Sequence, residues 1–139
     1  MTRPFLDGRW LIGVVHVAAL PGTPRATDPI ERVIARAVAD ARAYHEAGFD
    51  ALIVENMHDR PSLKGGVGAE GGAAMTAVGV AGRAAAPLPL GVQLLAGANR
   101  EALAVALACG GSFVRVEGFV FAHVADEGLI ESGAGDLLR

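Results

Sequence analysis

The sequence predicts an α/β fold of the (β/α) TIM-barrel type, truncated to about four strand-helix units: a half barrel. Three observations carry this. Short apolar runs alternate with helical stretches along the chain, as βαβ construction requires. The strand-like runs are apolar at nearly every position, as strands covered on both faces must be. Their polar exceptions fall late in each run.

The first run, Leu11-Ile-Gly-Val-Val-His-Val17, is rich in β-branched residues and is ended by Leu20-Pro21-Gly22. Asp28-Pro29-Ile30-Glu31 then opens a helix. Asp28 is placed to cap the first amides, Pro29 suits the first helical position, and Glu31 stands where a capping-box carboxylate belongs. Ile30, Val33, Ile34, Ala37, Val38 and Ala41 keep helical spacing, and Gly48 can terminate the helix. Ala51–Glu55 is the second strand, after a very short turn. A Gly-rich loop is expected from His58 to about Gly68, followed by an Ala-rich helix near Ala73–Ala86. Leu90–Leu95 makes strand three, and Asn99 is placed to cap a helix running to Cys109. Phe113–Glu117 makes strand four, and one more helix is expected to start near Ser132.

Residues 1–139 are read as a single incomplete barrel domain. A full eight-unit barrel takes roughly 250 residues. The polar residues at the strand ends are His16, Glu55, Gln93, Arg115 and Glu117. In a barrel that end is the functional face, and an open doubly wound sheet would use the same edge.

Composition narrows the function classes. The chain is 52% hydrophobic and 19% charged, with a net charge of −3, which describes a globular protein. Its twelve basic residues are scattered singly, which argues against nucleic acid. The single Cys109 excludes an internal disulfide and fits a reducing compartment. Asp7 and Arg9 interrupt any leader-like stretch, and no apolar run is long enough to span a bilayer, so the expected location is cytoplasmic.

His16 can act as general base or ligand, since imidazole titrates near neutral pH. Glu55 and Asn56, with His58 and Asp59 close behind, can contact a polar substrate; Glu55 can instead pair with Arg115. The spacing matches no dedicated metal motif, so no metal and no cofactor is assigned. Arg115 and Glu117 lie two apart, so both point the same way, toward a ligand or toward mutual neutralisation. Gln93 joins that ring. Gly66-Val-Gly68-Ala-Glu-Gly71 satisfies G-x-G-x-x-G on paper, but it does not follow a strand directly and lacks the acid at the next strand, so it reads as a flexible loop. Arg25 and Lys64 read as solvated loop charges.

Ile12-Gly-Val-Val-His16-Val-Ala-Ala-Leu-Pro21-Gly22-Thr-Pro24-Arg25 resembles the opening of the BtpA/SgcQ family. So do Gly48-Phe-Asp50-Ala-Leu-Ile-Val-Glu55-Asn56 and Phe113-Val-Arg115-Val with Asp126-Glu-Gly128-Leu-Ile-Glu131. The family is barrel-shaped, its members are longer, and it includes a cyanobacterial factor needed for photosystem I biogenesis. Other relatives sit beside sugar-metabolism genes. The resemblance adds Asp126 as a contact residue and implies either of two functions. One is an enzyme on a small polar metabolite, a sugar phosphate or nucleoside, with His16 or Glu55 as base and Asn56, Gln93, Arg115, Glu117 and Asp126 binding substrate. The other is a non-enzymatic assembly or stability factor of the photosystem I biogenesis type. The outer edges of the first and fourth strands also suit a homodimer, since two copies would bring eight strands together.

Overall fold

The computed structural model describes residues 8–139. Four parallel strands form one sheet in chain order: β1 (Ile12–His16), β2 (Ala51–Glu55), β3 (Leu90–Gln93) and β4 (Phe113–Val114). Helices α1 (Ile30–Glu46), α2 (Gly68–Ala85) and α3 (Asn99–Cys109) connect them. This is the expected alternation, and the four strands do not close on themselves.

The register explains why one face of the sheet is apolar and one edge polar. Val15, Leu52, Val54, Leu90 and Val92 alternate onto the helix side, where they are buried with Val33 and Ala37 of α1, Met75 and Val78 of α2, and Val105 of α3. Side chains of the opposite parity point away from the helices. There the ladder pairs His16 with Glu55 and Glu55 with Gln93. Strand spacing therefore places the three polar residues side by side at the C-terminal edge.

Gly13 shows how tightly a helix seats on the sheet. A Cβ there would stand 2.6 Å from the Tyr44 ring, whose hydroxyl donates to the Val14 carbonyl at 3.1 Å. Only glycine lets the ring approach that closely.

Several local expectations are corrected. Asp28 does not cap α1: Pro29 holds the cap position, and the Asp28 carboxylate binds Arg32 and Arg36, each at 3.1 Å. Two guanidinium groups within reach outcompete backbone amides. Asn99 does not cap α3 either, because its side chain is engaged by Glu117. Gly48 does end α1, at φ +81 just beyond Ala47. Helix α2 starts at Gly68, earlier than the expected Ala73, so part of the G-x-G-x-x-G stretch is helical.

The end of the chain differs most. Strand β4 is only two residues long, although the Arg115 N–H still reaches the Val92 carbonyl at 3.0 Å. It is followed by an antiparallel hairpin, β5 (His123–Ala125) and β6 (Gly128–Ile130), which the sequence reading missed. The last helix, α4 (Ala134–Leu137), is a single turn beginning two residues after Ser132. Among the described residues, no helix is long and apolar enough to cross a membrane.

Candidate functional site

Residues at the ends of β1, β2 and β3 and just beyond β4 form one row of polar contacts at the C-terminal edge of the sheet. Glu55 ends β2 with its side chain only 4% exposed, and both of its oxygens are used. Oε2 lies 3.2 Å from His16 Nε2 at the end of β1, and Oε1 accepts from the Arg115 guanidinium at 2.8 Å beyond β4. His16 and Arg115 are 49% and 48% exposed, so a buried carboxylate is flanked by two accessible nitrogen groups. Arg115 Nε donates to Gln93 Oε1, and Gln93 Nε2 lies 3.4 Å from Glu117 Oε1. The row thus runs His16, Glu55, Arg115, Gln93, Glu117.

Chemistry follows from the donor and acceptor inventory. His16 Nε2 stands within ion-pair distance of the Glu55 carboxylate, which can only accept when ionised. A carboxylate beside one nitrogen of a half-exposed imidazole is an arrangement that can orient a general base. Arg115 neutralises the buried charge and keeps half its surface accessible.

Asn56 has a different place. It follows Glu55 and therefore points to the other side of the strand, where it is fully buried. Its Oδ1 accepts the Leu95 N–H at 2.8 Å, and its Nδ2 donates to Asp59 at 3.1 Å. Asp59, also buried, accepts the Leu20 N–H at 2.7 Å. Asn56 and Asp59 together brace the loop after β1 against the loop after β3. Asp59, which the sequence places close behind Glu55 and Asn56, serves this brace and not the row. The two residues also border a cleft of about 290 Å³ between Pro24, Leu63 and Val67.

Asp126 sits in the turn between β5 and β6, exposed, beside Met57, Arg60 and Glu127. Among the described residues, no hydrogen bond ties it to the row. His58 is exposed with its ring 6.5 Å from that of His16, and Arg25 and Lys64 are exposed in their loops. Cys109 is buried, and that burial pushes its thiol pKa up. No group of three His, Cys, Asp or Glu among the described residues is placed to hold a metal ion.

The comparisons with known proteins can be set against this geometry. The chain matches the model of the BtpA family over residues 8–139. It is 47% identical over 134 residues to an uncharacterized mitochondrial protein of Caenorhabditis elegans, covering 93% of this chain and 48% of the relative. An uncharacterized protein of Archaeoglobus fulgidus is 45% identical over 129 residues, with 93% of this chain and 52% of the relative covered. The photosystem I biogenesis protein BtpA of Synechocystis is 36% identical over 129 residues, with coverage of 93% and 45%. The chain therefore spans about half the length of these relatives. No solved structure matches it. All the described residues lie inside the family match, and the relatives align over nearly the full chain: the chain belongs to the BtpA family.

Proposed function

We propose that this chain supplies half of the mouth of a (β/α)-barrel site for a small polar metabolite, a sugar phosphate or a nucleoside, on which it acts by proton transfer. The observation that supports this is the row itself. Five polar residues, three ending β1 to β3 and two just beyond β4, meet at the edge where such folds carry their chemistry, while the rest of the sheet is apolar. In this reading His16 Nδ1 takes or returns the proton, Glu55 orients His16, and Arg115 and Gln93 hold the ligand's oxygens. The test is nuclear magnetic resonance of the His16 imidazole during titration with ribose, ribose 5-phosphate and adenosine. Shifts at His16 with at least one of them, lost in Arg115→Ala, are expected. No shift with any of the three sinks the reading.

A second reading, a non-enzymatic assembly factor, is supported by two observations. The Synechocystis relative is named for photosystem I biogenesis, and Phe121 and Val124 are each 83% exposed at the end of the chain. Exposed apolar residues grouped this way suit contact with another chain, including a second copy of this one. Loss of assembly on Phe121→Ser, with the His16 response intact, would favour this reading over the first.

A further inference from the structure

Beside the polar row lies a second cleft with the opposite balance of charge. It has a volume of about 250 Å³, and its lining includes Ala18, Ala19 and Arg25 from the loop after β1, Asp28 and Arg36 at α1, and His58 after β2. His58 joins the two places, because its ring also stands 6.5 Å from that of His16, edge to face. Asp28 is the one carboxylate of the cleft, and it is already met twice, by Arg32 and by Arg36 at 3.1 Å each. Arg25 is left over: among the described residues its guanidinium makes no ion pair or hydrogen bond.

The backbone of the cleft wall adds donors. Val17 donates to the Glu55 carbonyl at 2.8 Å, and Leu20 donates to the Asp59 carboxylate at 2.7 Å. Between them the half-buried Ala18 and Ala19 N–H groups donate to nothing among the described residues. Backbone donors away from bulk water need an acceptor, and a guanidinium forks onto phosphate oxygens. Arg36 gives Asp28 one of its nitrogens and has further N–H groups to offer. Three arginines thus gather around one carboxylate in a chain whose net charge is −3. The row has the reverse ratio, with Glu55 and Glu117 against Arg115, so a phosphate dianion is better placed in the cleft than in the row.

We propose that this cleft is an anion subsite that takes the phosphate group of a small phosphorylated metabolite. Arg25, Arg36 and the Ala18 and Ala19 amides hold the phosphate, and His58 stands between it and His16. The usual phosphate position of such barrels lies in the loops after strands seven and eight, whereas this one is built on the first strand and its helix. The proposal rests on the row being a ligand site, since the hydroxyl-bearing part of the same ligand would lie there.

The experiment follows the Ala18 and Ala19 amide resonances of the 139-residue chain during titration with inorganic phosphate at constant ionic strength. Both amides should move. Arg25→Gln, at an exposed side chain with no partner to lose, should weaken the apparent affinity about fivefold or more, the scale of one charge contact in water. Lys64→Gln removes another exposed loop charge, one that does not line the cleft, and should leave the response as it was. Unmoved Ala18 and Ala19 amides overturn the proposal. So does an Arg25→Gln chain that loses no more affinity than Lys64→Gln, which would mark general attraction to positive charge. Ribose 5-phosphate, titrated separately, should move Ala19 and His16 with one shared affinity. A phosphate response at Ala18 and Ala19 with His16 silent to ribose and ribose 5-phosphate strikes the reading of the row and leaves the cleft as an anion site. The reverse pattern strikes the subsite and leaves the row.

Discussion

Residues 12–110 and residues 113–139 solve the same problem unequally. In the first region, strands β1 to β3 lie under helices of 17, 18 and 11 residues, and alternate side chains vanish into a shared core. In the second, a two-residue strand leads into a three-residue hairpin pair and a single helical turn. Phe119, Val120, Phe121, Val124, Leu129 and Leu138 are exposed there, and of the large apolar side chains of the hairpin only Ile130 is buried. Parallel strands become stable when a helix covers them, and within residues 115–139 the only helix after β4 is the four-residue α4. Stability is thus concentrated in the first region, whereas the polar row draws on both.

That contrast can be broken most directly in the core. Leu52→Ala, at a side chain 1% exposed among the helices, should cost about 2–5 kcal/mol in denaturant unfolding, because it removes contacts and leaves a cavity. A loss below about 1 kcal/mol would mean that the first region is not the cooperative unit. Asn56→Ala should cost an intermediate amount, roughly 1–3 kcal/mol, since it leaves the buried Leu95 amide and one side of Asp59 without their partner. The smallest effect belongs to Phe121→Ser, expected to change stability by no more than about 0.5 kcal/mol. If copies associate through the end of the chain, the same substitution lowers the mass measured by light scattering, with little change in the melt. A cost equal to that of Leu52→Ala would instead show that the second region folds as part of the core.

The same division governs what could be read from the sequence. Strands β1 to β3 were legible because short apolar runs bounded by turn signals suit buried strands, and the polar row was legible because Glu55 and Gln93 interrupt those runs at their ends. Asp28 and Asn99 misled because a capping side chain is judged on local sequence, while the partners they found, Arg36 and Glu117, lie eight and eighteen residues away. Helix α2 begins at Gly68 and not near Ala73 because packing of its buried Gly71 and Met75 overrides the low helix propensity of glycine. The hairpin was missed because strands of three residues carry almost no periodicity, although Asp126-Glu127-Gly128 is a turn signal with its glycine at φ +106. The direction of Asn56, away from the row, needed the pleat and not the motif.

The residue-to-residue pairing of His16, Glu55 and Gln93 across three strands has a consequence for which insertions and deletions the gene can carry. One codon gained or lost inside β2 would turn the Glu55 carboxylate toward Val33 and Met75 and bring Asn56 to the mouth, undoing the row and the brace together. The same change in the loops after β1 or β2, at Thr23 or Lys64, leaves every pair in place. Length differences tolerated by this fold therefore belong in the loops that rim the row, where they reshape what reaches His16 without moving it.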